Sequence, residues 1–142
     1  MNITPGQQQK IEKIGQEYDL SFIILHGFHA KGTQQKGSDL DIAILGNKRI
    51  SGEETLKIYG EFADIFGDNH ERELDLKTLH GVDSLFRYEV TQGGTLLFGN
   101  PTYYEEFKLY AYRSYMDSYD LRELQEILLK KSIREILHHD HD

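Results

Sequence analysis

The chain has no cysteine among its 142 residues. That excludes a disulfide framework, a thiolate zinc site and a cysteine nucleophile. It also has no apolar run near the ~20 residues that a membrane-spanning helix needs. The first residues, MNITPGQQQK, carry no signal-peptide core, so a cytoplasmic protein without membrane contact is expected. Positive charge is scarce: 16 Lys and Arg stand against 24 Asp and Glu, for a formal net charge of −8. A long basic groove for tracking duplex nucleic acid is therefore not expected, because neutralising phosphates takes clustered Lys and Arg. A magnesium-bound nucleotide is different, since carboxylates are what hold its metal. Acidity also suits a basic protein partner. Hydrophobic residues at 38% and charged residues at 28% place the chain among globular proteins rather than disordered ones.

What is present is organised around residues 21–45, SFIILHGFHAKGTQQKGSDLDIAIL. An apolar run from Ser21 to His26 reads as a strand. A polar loop with Gly27, Gly32 and Gly37 follows, with Lys31 and Lys36 beside the glycines. A second apolar run then carries Asp39 and Asp41. On a strand, residues i and i+2 point to one face, so the two carboxylates share a site beside a loop suited to phosphate. Asp-x-Asp alone is weak evidence; the strand, glycine loop, Asp-x-Asp, strand pattern is more specific. A carboxylate in an apolar strand needs a cation or hydrogen bonds, which makes a divalent-metal site handling a nucleotide the functional reading.

The rest of the chain frames this stretch. Thr4 and Pro5 suit a helix start, and Ile11, Ile14 and Tyr18 give a helix over 4–19 one apolar face. Ser51 with Glu54 is a capping-box signature. The helix it opens is expected to bury Leu56, Tyr59, Phe62, Ala63 and Phe66, ending at Gly67, Asp68 and Asn69. A third strand is expected over 73–79. Its alternation leaves Asp75 either solvent-facing or a third carboxylate of the site. A short helix over 82–91 and a strand over 95–98 follow. From Thr102 to about Leu137 the chain reads as helical, rich in tyrosine, with a break expected near Asp117–Asp120. At 1.5 Å per residue one unbroken helix would outrun the globule, and aromatic enrichment suits a partner interface. The final histidines and aspartates are assigned no role.

With these residues in hand, the chain resembles a minimal nucleotidyltransferase of the DNA polymerase β superfamily. More narrowly, it is similar to the MNT antitoxins found beside HEPN-domain toxins. The family pattern is Gly-Ser, ten residues, then Asp-x-Asp, with a later carboxylate strand. Here Gly27-Phe28 stands at Gly-Ser, Asp39-Leu40-Asp41 is the Asp-x-Asp, and Leu74-Asp75-Leu76 matches the later strand. His29-Ala30-Lys31-Gly32 resembles the family's Arg-Ala-Arg-Gly. Arg87-Tyr88-Glu89-Val90 and residues 94–100 resemble its closing helix and strand. The likeness spans most of residues 20–100.

The resemblance implies an α+β fold, a small mixed β-sheet with helices packed on it. Residues 1–142 would form one nucleotidyltransferase domain, with 102–137 a helical C-terminal extension. It implies that Asp39, Asp41 and Asp75 hold two Mg²⁺ ions and are catalytic, and that Gly27, Phe28, Lys31 and Ser38 bind the nucleotide. It further implies AMP transfer from ATP to a tyrosine hydroxyl of a partner HEPN ribonuclease toxin. Phe28 departs from the pattern, because it cannot donate to a phosphate oxygen as Ser does, and His29 and Lys31 give up bidentate arginine contacts. The competing reading is therefore a catalytically weakened antitoxin that neutralises its toxin by binding. A small-molecule nucleotidyltransferase of the aminoglycoside-modifying kind is a third reading, for which the chain is short.

Overall fold

The computed structural model describes residues 2–27, 39–68 and 72–139. Their order is α1 (Pro5–Glu17), β1 (Leu20–His26), β2 (Leu40–Gly46), α2 (Gly52–Phe66), β3 (Leu74–Thr78), α3 (Ser84–Gly93), β4 (Thr95–Phe98) and α4 (Pro101–His139). The four strands form one mixed sheet in the order β3-β2-β1-β4. β1 runs antiparallel to β2 and β4, whereas β2 and β3 are parallel. The parallel pair needs a crossover, and α2 supplies it. This is the α+β architecture expected from sequence.

Local chemistry sets the helix starts. The Thr4 side chain accepts from the Gln7 backbone N–H, while the Gln7 side chain accepts from that of Thr4, a complete capping box. Ser51 caps α2 by accepting from the Glu54 N–H, and Asp83 caps α3 by accepting from Phe86 N–H.

Both faces of the sheet are covered. On one, α1 and α2 close over Ile23, Leu25, Leu40, Ile42 and Ile44, with Ile11, Ile14, Ile58 and Phe62 packed in. The other holds Phe22, Ile24 and Ala43 against Val90 of α3 and Tyr104 of α4. A register shift between Leu20 and Phe22 sends these two residues to different faces despite their even spacing. The approach of α1 is tight: a Cβ on Gly15 would lie 2.5 Å from the Phe98 ring. Gln8 Nε2 also donates to the Leu97 carbonyl at 2.9 Å, tying α1 to the edge strand β4.

Two expectations are corrected. Leu56 is not core: it is 69% exposed, and the buried stripe of α2 runs instead through Ile58 and Phe62. The spacing rule admits either phase of the helix, and Ile58 is the residue that reaches the sheet. The helix after Pro101 does not break near Asp117–Asp120; α4 is one piece of 39 residues, about 58 Å long. Ser114 and Asp117 interrupt only a face that the domain leaves partly open, so nothing there needs an apolar continuation. Ser118 Oγ donates back to the Ser114 carbonyl within the helix at 2.9 Å. Past Ser118 every described side chain of α4 is exposed. No described helix is long and apolar enough to cross a membrane.

Tyr104 carries a buried cost. Its hydroxyl has no hydrogen-bond partner among the described residues, and burial, with Glu105 adding to it, pushes its pKa up to about 12. Stability from this raised pKa is fully present below the unfolded value near 10 and is lost as pH rises through about 12. Tyr104→Phe is expected to be neutral or stabilising at pH 7, since no partner is orphaned. It is also expected to show a smaller loss of stability between pH 10 and 12 than the parent, measured by urea unfolding. In the same assay Phe62→Ala is expected to cost about 3–5 kcal/mol, and Leu56→Ala within about 0.5 kcal/mol of zero.

Candidate functional site

Where the apolar alternation of the sheet reaches its end, the side chains change character. On the face that holds Ile24 and Ala43, the next positions are His26 on β1 and Asp41 on β2, with Asp75 beside them on β3. These are register neighbours: His26 pairs with Asp41, and Asp41 with Asp75. Both carboxylates are half-buried. The register thus places Asp75 beside Asp41 on one face of the sheet, half-buried at the outer strand β3.

Asp39 lies one residue before β2 and is exposed. Leu40 anchors the strand start by donating its N–H to the Glu73 carbonyl at 2.8 Å. Phe28, Lys31 and Ser38 lie outside the described residues. Gly27 follows β1 directly with φ +78°. A Cβ there would sit 2.5 Å from Asp41 Oδ2. Glycine is required twice over, by a backbone angle that L side chains rarely adopt and by the carboxylate packed against it.

His26 was not singled out by sequence reasoning. Its Nε2 is buried and makes no hydrogen bond among the described residues. The ring meets Phe86 of α3 edge-on, centroids 6.0 Å apart. Burial pushes its pKa below the usual histidine value; Asp41 and Asp75 pull the other way, and Lys77 assists the lowering. A histidine closing an apolar strand directly before the glycine was the available signal. Beside it a cleft of about 590 Å³ is lined by His26, Gly27, Phe86, Tyr88, Glu89, Val90, Gln92 and Gly93.

The donor set suits a hard cation, since carboxylate oxygens are what Mg²⁺ takes. Among the described residues no three acidic or imidazole groups are placed to hold a metal between them. The fit is therefore to an ion that keeps one or two carboxylates and completes its shell with water and phosphate oxygens, which is the usual habit of Mg²⁺. Asp41 and Asp75 are the residues that could hold it.

Residues 9–103 match the protein family described as Polymerase beta, Nucleotidyltransferase. No curated protein matches the sequence. Among solved structures, a chain of a toxin–antitoxin crystallised with AMP-PNP superposes with a TM-score of 0.70 at 22% identity, covering 85% of this chain and 98% of that one. A chain from the complex of tri-AMPylated Shewanella oneidensis HEPN toxin with MNT antitoxin gives 0.65 at 19% identity, covering 86% and 96%. Spectinomycin adenyltransferase AAD(9) from Enterococcus faecialis, with ATP and spectinomycin, gives 0.51 at 16% identity, covering 69% and 57%. At these identities the likeness is one of fold.

The contact between Gly27 and Asp41 can be tested without any ligand. Gly27→Ala is expected to destabilise by at least the ~1–2 kcal/mol of a left-handed alanine, plus the clash. In an Asp41→Ala background the clash disappears, so the two changes should be non-additive in a double-mutant cycle read by denaturant unfolding. Strict additivity would show that the two residues do not touch.

Proposed function

We propose, from the premise that this chain belongs to the polymerase β nucleotidyltransferase family, that it transfers AMP from ATP to a tyrosine hydroxyl of a HEPN-domain toxin and so acts as that toxin's antitoxin. The observation that carries this reading is the register of β2 and β3, which sets Asp41 opposite Asp75 on one face beside the Gly27 turn. Solved chains of the same fold come from toxin–antitoxin complexes, one with AMP-PNP and one with an AMPylated HEPN toxin. The chain would act as one nucleotidyltransferase unit, with α4 beyond residue 102 as its extension.

In this mechanism Asp41 and Asp75 would hold Mg²⁺, and Asp39, exposed two residues before Asp41, would complete the carboxylate set only once nucleotide and metal are bound, with two ions in the full assembly. Bound there, the metal would neutralise phosphate charge and lower the pKa of the acceptor hydroxyl. The backbone at Gly27 approaches the phosphates because no Cβ intervenes, with Lys31 supplying a charge to the β and γ groups. Asp75, on the outer strand β3, lies on the acceptor side. The acceptor oxygen forms a bond to the α phosphorus, its proton leaves to water or carboxylate, and the bond to the β-bridging oxygen breaks to release pyrophosphate.

A second reading has its own observation. The distal half of α4 exposes Leu121, Leu124, Ile127, Leu128, Leu129 and Ile133, which favours neutralisation by contact alone.

One assay separates the two. The protein, Mg²⁺ and a HEPN partner are mixed with ATP labelled at the α or the γ phosphate. Nucleotidyl transfer puts α label, and no γ label, on the partner, and Asp41→Ala and Asp75→Ala are expected to lower the rate by at least a hundredfold while circular dichroism stays unchanged. Transfer undiminished in the Asp39→Ala, Asp41→Ala double variant would overturn the site. A stable complex with no label from either position would establish the contact reading.

A further inference from the structure

Asp68 enters the sequence reading only as part of the stop that ends α2, yet it ties α2 to the strand that carries Asp75. The chain turns at Gly67, φ +83°, directly after α2. The Asp68 carboxylate then serves two elements at once. Its Oδ1 accepts from the Leu74 backbone N–H at 3.1 Å, and its Oδ2 accepts from the Tyr59 hydroxyl of α2. The Tyr59 ring is packed against the core, so its hydroxyl is a fixed point. Leu74 opens β3 with its side chain buried, and the next residue is Asp75.

β3 has a neighbouring strand on one side only. Successive residues of a strand offer their backbone groups to alternate edges. The Glu73 carbonyl accepts from the Leu40 N–H at 2.8 Å, on the β2 side. The Leu74 N–H therefore faces the free edge, and the Asp68 carboxylate takes it there. Residues 73 and 74 are gripped from opposite edges, directly ahead of Asp75. Hydrogen bonds to an ionised group are the stronger kind. Strength is needed at this end. The end of a strand paired on one side only is where local opening is easiest, and the like charges of Asp41 and Asp75 oppose the pairing of their strands.

We infer that Asp68 is a positioning residue for transfer: backed by Tyr59, it clamps the first N–H of β3 and so fixes Asp75 opposite Asp41. The inference rests on the nucleotidyl-transfer reading and adds to it the residue that sets the acceptor-side carboxylate. Asp68 acts through the backbone of β3, and a misplacement of about 1 Å at a reacting centre costs on the order of a hundredfold in rate.

Wild type, Asp68→Ala, Asp68→Asn and Tyr59→Phe are compared by amide hydrogen exchange and by the α-label transfer assay, with kcat and KM for ATP determined separately. Asp68→Ala is expected to speed exchange of the Leu74 amide about tenfold or more. The Leu79 amide, bonded to the Ile44 carbonyl at 2.9 Å just past the far end of β3, is expected to exchange as in wild type. The kcat of Asp68→Ala is expected to fall about ten- to a hundredfold, with KM for ATP within about twofold, because the triphosphate is assigned to the Gly27 side. Asp68→Asn keeps an oxygen for the Leu74 N–H and is expected to recover most of the rate, with Tyr59→Phe between the two. A merely structural role would speed exchange at Leu79 as well and leave kcat of the folded enzyme unchanged. Wild-type exchange at Leu74 in Asp68→Ala, wild-type kcat in that variant, or no recovery in Asp68→Asn overturns the inference and leaves the transfer reading standing. A wild type that transfers no α label overturns both.

Discussion

Two carboxylates facing each other across parallel strands would not be chosen for stability. Like charges directly opposite on a sheet are destabilising, yet the register of β2 and β3 sets Asp41 against Asp75. The register itself is not negotiable. Shifting it by one residue would send Leu40, Ile42 and Ile44 out of the core under α1 and α2. The apolar residues fix the pairing, and the pairing forces the charges together. Gly27 has to be glycine because Asp41 is where it is. His26 is half-buried because Phe86 closes its other side.

Much of this was legible in the residues themselves. Alternation placed β1 and β3 to within a residue, β4 fell on the expected span, and Thr4 and Ser51 cap as their chemistry predicts. Asp41 was readable because a carboxylate inside an apolar strand has few reasons to be there. Other features needed the third dimension. Leu56 and Ile58 are both apolar on one helix, and only the position of the sheet says which is buried. Asp75 alternates as a surface residue would, and only the pairing of β3 with β2 shows that it lies beside Asp41. His26 closes an apolar run, a place where histidine is ordinarily a packed core residue. Its meaning comes from Asp41 across the ladder and from the cleft beside it. For α4, the polar residues at 114 and 117 suggested a break because an apolar seam was assumed to continue. The domain ends its contact with the helix near Ser118, so no seam was needed.

That unsupported half of α4 bears on how the protein works. A helix in water draws most of its stability from a packed face rather than from propensity, and the residues beyond Ser118 pack against nothing described in this chain. Their leucines and isoleucines are exposed at 49% or more. Charged neighbours offset part of this: Lys130 and Glu126 pair at 3.6 Å, although exposed pairs contribute little.

The consequence is a division of labour along the chain. The sheet end, with His26, Asp41 and Asp75, depends on core packing and would be lost with the fold. The distal helix depends on the domain only through its first half, where Tyr104 and Ala111 are buried and Tyr115 stacks on Tyr88. Loss of a carboxylate would leave the helix surface untouched, and loss of a distal leucine would leave the register untouched. The carboxylate corner and the distal helix surface are therefore separable by mutation. Among the described residues the two regions meet in aromatic contacts, among them the stack in which Tyr115, with Arg122 over its ring, lies against Tyr88 at the wall of the cleft.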